Sequence, residues 1–239
     1  MGRLDRVLFL ALASAVWAYV ILRAVLVPLA HDECASILWF VRSGEWLPYQ
    51  AHWDANNHYL STGIGVLAVR LFGESPLALR AGSLLAFVPY AWSVWRIGTH
   101  VRQRAVRLCL WTALLLCPYL LDFFSLFRGY SIEMAGWLLA LDGLLRYAAS
   151  MTARHLGQAL AGLLLACAAI VALIPAWALV LLLLAALQVG ARPLPSHGSR
   201  WAQAAAWAIF GALPELDGLH RPMTFYGKTV HDRCQRRIA

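Results

Sequence analysis

Long apolar runs separated by short polar segments form the main pattern of this 239-residue chain. A helix needs about 20 mostly apolar residues to cross a bilayer, and four stretches are long and apolar enough to enter one. Helices are predicted over the following segments: 7–30, 77–97, 108–127, 131–147, 156–189 as a pair divided at Pro175, and a shorter one at 201–213. The pattern therefore predicts an all-α fold, a polytopic transmembrane helical bundle.

The first apolar run has a second interpretation. Ala13, Ser14 and Ala15 resemble the cleavage site of a signal peptide. The apolar residues continue well past this point, to about twice the length of a signal h-region. This length favours a transmembrane helix.

The arginines between the runs predict the orientation of the helices. Short loops rich in Arg or Lys stay on the cytoplasmic side. The arginines assigned to the inner side are Arg3, Arg6, Arg96, Arg102, Arg104, Arg107, Arg146, Arg154, Arg192 and Arg200. Carboxylates collect on the opposite side: Asp32, Glu33, Glu45, Asp54, Glu74 and Asp122. The chain is predicted to be a multi-pass protein of a bacterial inner membrane with a cytoplasmic N-terminus.

Three segments depart from the pattern of full spans. Residues 31–59 form a polar outer loop with a short amphipathic, Trp-containing helix typical of a membrane surface. Residues 59–73 are apolar but reach only about half a bilayer, so they form either a juxtamembrane or re-entrant helix or a short span. Residues 1–213 are assigned to the membrane domain. The basic tail at 214–239 lacks any period, as expected of a disordered segment, a truncated gene or a shifted reading frame.

Composition narrows the class of protein further. Hydrophobic residues make up 61% of the chain and charged residues 13%, about half the charged share of a soluble domain. The formal net charge of +8 does not indicate a nucleic-acid partner, because the arginines are spread through short loops and form no basic face. The five cysteines form no CxxC and have no His at zinc spacing, so neither a metal nor another cofactor is predicted. A divalent metal at His52 and His58 is an alternative, but their spacing is not a recognised ligand pattern.

The polar residues predicted at the outer side suit transfer chemistry on a phosphate-linked substrate. A carboxylate such as Asp32 can take a proton from a hydroxyl group. An arginine such as Arg128 can bind a phosphate. Aromatic side chains beside them suit a sugar face or a lipid tail. Simpler roles are open: Asp32 and Glu33 as acids at a helix N-terminus, and Arg128 as an interfacial anchor.

Four motifs in this order resemble the polytopic glycosyltransferases of the C-type fold, the protein O-mannosyltransferase and aminoarabinose-transferase-like superfamily. The motifs are Asp32 and Glu33 after the first helix; Asn56, Asn57, His58 and Leu60; Glu74 with Leu79, Arg80, Ser83, Leu84 and Leu85; and Leu121 to Phe124 with Arg128, Gly129, Tyr130 and Ser131. The resemblance covers about residues 5–190. Tyr59 stands where proline is usual, and Ala81 and Gly82 replace a Leu-Pro pair.

The resemblance implies a helical membrane domain with two juxtamembrane helices in the first outer loop. It implies transfer of a sugar from a polyprenyl-phosphate donor to a lipid or glycan acceptor on the outer face of the membrane. The lipids of the membrane are the other partners that it implies. The implied roles are as follows: Asp32 and Glu33 as the catalytic pair, with Asp32 activating the acceptor hydroxyl and Glu33 supporting it or binding; Asn56, Asn57 and His58 in the sugar pocket; Arg128 and Tyr130 at the donor phosphate; and Glu74 and Arg80 as a pair that braces the outer loop.

Members of the superfamily are typically about twice as long as this chain, so part of the donor cavity is expected to be missing if the chain ends here. Two other functions therefore stay open: a polytopic transporter-like protein and an inactive truncated remnant. A transporter would be expected to have polar residues near the middle of the membrane and paired repeats. The sequence places its polar residues at the helix ends instead.

Overall fold

The computed structural model describes residues 2–51, 54 and 56–170, and this part of the chain is helical without strands. The helices are α1 (Arg3–Leu26), α2 (His31–Ser36, continued by a π-helical turn at Ile37–Val41), α3 (Tyr59–Phe72), α4 (Pro76–Gly98), α5 (Arg104–Leu116), α6 (Pro118–Phe124), α7 (Tyr130–Ser150) and α8 (Ala153–Ala169). The predicted helices at 171–189 and 201–213 and the tail at 214–239 lie outside the described residues.

Helix α4 lies at the centre of the bundle, antiparallel to the peripheral α1. The indole Nε1 of Trp17 donates to the carbonyl oxygen of Leu84 at 3.1 Å, and the rings of Phe9 and Trp95 lie 5.0 Å apart near the other end. Most of the apolar stretch of α4 is buried, whereas most of that of α1 is exposed. An exposed apolar helix face is unfavourable in water and suits contact with lipid.

Helices α7 and α8 pack closely because small residues line their interface. A Cβ atom placed on Gly136 would lie 2.7 Å from the backbone oxygen of Gly162 and from the backbone nitrogen of Ala166. A Cβ atom on Gly143 would lie 2.6 Å from the backbone nitrogen of Ala159. Small residues at such spacing let two helix backbones approach each other, which is a common packing mode in membranes.

Ion pairs lie at both ends of the bundle and few lie between them. We call one end inner, following the predicted orientation: there Asp5 contacts Arg104 and Arg107, and the buried Asp142 contacts Arg96 and Arg146. We call the other end outer. Its pairs join Arg23 to Asp122, Arg42 to Glu74, Arg80 to Glu33 and Arg128 to Asp32. Charges are therefore concentrated where a membrane would meet water.

Among the described residues, two helices, α1 and α4, are long and apolar enough to cross a membrane, and α5 with α6 adds a third candidate if the two form one bent span. The predicted helices at 7–30 and 77–97 correspond to α1 and α4. The single helix predicted over 108–127 is wrong, because α5 and α6 meet at an angle of 49°. The bend lies at Pro118, which begins α6 and cannot donate a backbone hydrogen bond.

Helix α3 has both of its ends at the outer end of the bundle. His58, at its start, lies against Gly129 and Tyr130, and Glu74, just after its end, pairs with Arg42. The buried face of α3 packs on a small outer core that includes Ile37, Leu79 and Phe127. This placement agrees with a juxtamembrane helix better than with a short span.

Candidate functional site

An ion pair between Asp32 and Arg128 forms the centre of the outer end. Asp32 lies in the first turn of α2, and Arg128 lies in the turn between α6 and α7. Their nearest atoms, Oδ2 of Asp32 and Nη1 of Arg128, are 2.9 Å apart. The same Nη1 donates to Oδ1 of Asn56 at 3.0 Å. Three residues that the sequence assigns to a site therefore meet in space, although 96 positions separate Asp32 from Arg128 in the numbering.

The two partners of this ion pair differ in exposure. The Asp32 side chain is 47% exposed, whereas that of Arg128 is 12% exposed. The carboxylate can therefore reach a molecule that arrives from outside. The guanidinium group presents charge from within the protein, where a charge is screened less by water.

Glu33 has a different environment from its neighbour Asp32, because successive residues of a helix point about 100° apart. Its side chain is fully buried and forms a bidentate ion pair with Arg80, at 2.8 Å to Nε and 2.7 Å to Nη2. The carboxylate also accepts hydrogen bonds from the backbone N–H groups of Ala30 and Phe127, at 2.8 and 2.6 Å. These four hydrogen bonds occupy the Glu33 carboxylate inside the protein, which is compatible with the supporting role predicted for Glu33 and not with direct contact to an acceptor.

Arg80 extends the Glu33 network to the end of α1. Its Nη1 donates to the carbonyl oxygens of Ala24 and Val27 at 2.7 and 2.8 Å, and its Nη2 donates to Pro28 at 3.2 Å. These carbonyls have no partner within the helix, because α1 ends at Leu26. Arg80 and Glu33 thus connect α1, α2, α4 and the turn before α7.

This network holds the two members of the exposed ion pair in place. Glu33 is adjacent in sequence to Asp32, and Phe127, whose N–H donates to Glu33, is adjacent to Arg128. Glu33 is therefore a positioning residue that sets the separation of Asp32 and Arg128.

The predicted pairing of Glu74 with Arg80 is wrong, because both residues have other partners. Glu74 pairs with Arg42, whose Nε donates to Oε1 at 3.0 Å and to Oε2 at 3.2 Å. This pair is partly exposed, at 23% for Arg42 and 29% for Glu74. It joins the end of the π-helical turn to the segment before α4, so Glu74 does brace the outer loop, through another arginine.

Asn57 and His58, which follow Asn56 in the chain, each have a buried polar side-chain atom without a hydrogen-bond partner among the described residues. Nδ2 of Asn57 donates to the backbone oxygen of Trp46 at 3.0 Å, whereas its Oδ1 has no hydrogen-bond partner among the described residues. Nε2 of His58 is also buried without a partner in that part of the chain. Buried polar atoms without partners are costly, and a ligand that supplies the missing hydrogen bonds removes the cost.

Burial and the nearby Arg128 guanidinium lower the pKa of His58 from 6.5 to about 4, against a weaker opposite effect of the Asp32 carboxylate. We therefore expect the imidazole to stay neutral between those two pH values, where an ordinary histidine gains a proton. NMR of selectively labelled histidine, assigned with a His58→Gln variant, would measure this titration. Arg128→Gln should raise the pKa because it removes one of the two causes, and a midpoint near 6.5 in the native chain would contradict the expectation.

A row of aromatic rings leads from the site to the protein surface. The ring of His58 lies 5.2 Å from that of Tyr130, Tyr130 lies 4.7 Å from Phe123, and Phe123 lies 4.8 Å from Tyr119. Arg128 is 5.4 Å from the centre of the Tyr130 ring, within reach of a cation–π contact. The sequence assigned Tyr130 but not Phe123 or Tyr119, although their spacing of four residues places them on one face of a helix.

Metal ligands are not brought together in the part of the chain that is described. No group of three or more His, Cys, Asp or Glu side chains there could hold a metal ion. His58 lies near the ring of Tyr130 and the guanidinium group of Arg128, and the positive charge of Arg128 is unfavourable for a metal cation there.

Comparisons with known proteins give no family for this chain. No family model matches it, and no solved structure matches it. A segment of 28 residues is 61% identical to part of the hydrogenase-1 small chain of Citrobacter freundii. The match covers 12% of this chain and 8% of that protein, which is too little to show a shared fold or activity.

Proposed function

We propose that this chain is a membrane glycosyltransferase, or the N-terminal part of one, that uses a polyprenyl-phosphate-linked sugar donor. The observation that carries the proposal is the ion pair of Asp32 and Arg128 at the outer end of the helices, beside unpaired buried atoms of Asn57 and His58. A potential base, a cation and hydrogen-bonding groups for a polar ligand lie together there.

The proposed setting is a polytopic bundle in a bacterial inner membrane with the N-terminus in the cytoplasm. The apolar, outward-facing α1 and the central α4 support a membrane location. The inner end carries more arginine than the outer loops, which supports this orientation. The site then faces the outer side, where polyprenyl-linked sugars and lipid or glycan acceptors would meet.

The proposed reaction is one displacement at the anomeric carbon of the sugar. The acceptor hydroxyl oxygen forms the new bond to that carbon, and its proton passes to the Asp32 carboxylate. The bond between the anomeric carbon and the phosphate oxygen breaks, and polyprenyl phosphate leaves with the electron pair. Arg128 stabilises the charge on the leaving phosphate.

The neighbouring residues suit the remaining parts of this donor. Asn56, Asn57 and His58 offer hydrogen-bonding groups to sugar hydroxyls. The aromatic row of Tyr130, Phe123 and Tyr119 offers an apolar path to the surface for the isoprenoid chain. Tyr119 is 64% exposed, so the path is open towards lipid.

Replacement of Asp32 tests the proposal. In membrane vesicles that contain the full chain and a labelled polyprenyl-phosphate mannose or aminoarabinose donor, Asp32→Asn should lower sugar transfer by about 10²–10⁴-fold, the usual contribution of a general base. The assay measures label on the acceptor and release of polyprenyl phosphate.

Asp122 provides the matched control. It is another outer aspartate, 45% exposed, but its ion pair at 2.9 Å is with Arg23 of α1 and not with Arg128. Asp122→Asn should retain transfer. Full transfer by Asp32→Asn, with membrane insertion unchanged, would exclude the catalytic role of Asp32. Uptake of solute into the vesicles without transfer would favour a transporter.

A further inference from the structure

The four arginines that form ion pairs at the outer end each face one carboxylate. Three of the pairs, those of Arg23, Arg42 and Arg80, join structural elements of the described chain. The fourth, that of Arg128, lies in the proposed site. Among the paired arginines of the described residues, Arg128 is therefore the one whose charge an anion in this site would share with Asp32.

The hydrogen bonding of Arg128 differs from that of Arg80. Arg80 uses all three of its nitrogens, in five hydrogen bonds. Arg128 bonds to described residues only through Nη1, which contacts Asp32 and Asn56. Its Nε and Nη2 edge can receive two oxygens of a phosphate in parallel while Nη1 still contacts Asp32, so the two anions would share the one positive charge of Arg128.

We propose that the phosphate of the lipid donor and the carboxylate of Asp32 compete for Arg128. Without donor, Arg128 holds Asp32 in an ion pair. When the phosphate binds, it takes over the charge of Arg128 and releases Asp32 as a free carboxylate. This inference rests on the proposed function and adds an order to it: the donor binds first, and its binding activates the base.

The competition has one physical cause at the Asp32 carboxylate and another at the donor phosphate. While Oδ2 of Asp32 contacts Nη1 of Arg128 at 2.9 Å, that oxygen is occupied and less accessible to an acceptor hydroxyl. A phosphate that binds next to Asp32 experiences repulsion from a like charge a few ångströms away, poorly screened near a half-buried arginine. The negative charge of Asp32 therefore weakens donor binding while it serves catalysis.

Binding of a long-chain polyprenyl monophosphate to the full chain in nanodiscs tests this competition. Asp32→Asn keeps the size of the side chain and removes its charge, so it should bind the lipid phosphate about tenfold more tightly than the native chain, a change typical of one nearby like charge. The same variant should be inactive in transfer. If Asp32 only shaped the pocket, the Asp32→Asn variant would lose affinity for the lipid phosphate together with its transfer activity.

Four control variants separate the causes. Asp122→Asn removes an equally exposed outer charge and should leave the affinity unchanged. Arg128→Gln should abolish binding, and the double variant Asp32→Asn/Arg128→Gln should show no gain over Arg128→Gln. Asp32→Ala should show the same gain as Asp32→Asn if charge is the cause.

The outcomes distinguish this inference from the proposed function. Equal affinity of the native chain and Asp32→Asn, with binding lost in Arg128→Gln, would overturn the competition and leave the phosphate site intact. No binding of lipid phosphate to any variant would overturn both. Inorganic phosphate and uncharged polyprenol serve as separate probes: if inorganic phosphate binds as tightly as the lipid phosphate, the ligand is free phosphate and a lipid donor is excluded.

Discussion

Replacing Glu33 with glutamine is expected to destabilise the protein by about 3–5 kcal/mol, the range found when one partner of a buried ion pair is removed. Both side chains of the pair with Arg80 are 0% exposed. Glutamine has nearly the shape of glutamate, but it would leave the Arg80 charge buried without a counter-charge. It would also replace one acceptor oxygen with an amide that cannot accept the N–H groups of Arg80 or Phe127.

Glu74→Gln is the matched control, since it breaks another Glu–Arg pair at the outer end. The pair with Arg42 is partly exposed to solvent, where an ion pair contributes about 0–1 kcal/mol. The free energy of unfolding, measured in mixed micelles with a rising fraction of denaturing detergent, should separate the two variants clearly. Equal effects of Glu33→Gln and Glu74→Gln would show that the buried network does not stabilise the fold.

A double variant distinguishes a coupled pair from two independent residues. Glu33→Gln/Arg80→Gln should cost much less than the sum of the two single changes, because the uncompensated charge is lost together with its partner. Arg80→Gln alone also removes hydrogen bonds to carbonyls at the end of α1, so the double variant should stay less stable than the native chain. Additive effects would contradict the pairing.

The sequence predicts the helices of this chain better than their junctions. The apolar runs corresponding to α1 and α4 are long and uninterrupted, so composition alone identifies them. Hydropathy alone does not predict the junction of α5 and α6, because the run at 108–127 is apolar across it. Cys117 has ψ of 114°, as expected for a residue before proline, and Pro118 was the available signal for a break.

The partners of the outer charges could be predicted only in part. The meeting of Asp32 and Arg128 follows from topology, since two segments that end at one side of a membrane can approach each other. The partner of Arg80 does not follow from spacing, because Glu33 lies 47 positions away and reaches Arg80 only through the packing of α2 on α4. Glu74, six positions before Arg80, looked closer in sequence but pairs elsewhere.

The different roles of Asp32 and Glu33 illustrate the same limit. Two adjacent carboxylates look equivalent in a sequence. Once α2 is known to begin at His31, the turn of the helix directs one towards solvent and the other towards the core. Local geometry thus decides which carboxylate can act as a base and which can only position it.

A second large effect is expected at the contact of α7 and α8. Gly162→Ala would place a Cβ atom 2.5 Å from the backbone nitrogen of Ala140 and 2.6 Å from the backbone oxygen of Gly136. Backbone atoms cannot rotate away as side chains do, so the two helices must separate. We expect a loss of about 3 kcal/mol, the upper part of the usual range for overpacking. Separation would also weaken the 2.7 Å hydrogen bond from Gln158 to Asp142.

Gly157→Ala, on the same helix, makes the same chemical change without a contact. A Cβ atom on Gly157 meets no atom within 4 Å. This variant should therefore gain up to about 1 kcal/mol, because alanine favours a helix over glycine. The two alanine variants should shift the unfolding midpoint in mixed micelles in opposite directions. If Gly162→Ala also gained stability, α7 and α8 could not be packed as closely as the structure has them. The contact of Ala169 in α8 with Gly129 would then be in doubt as well, and with it the support of the turn that carries Arg128.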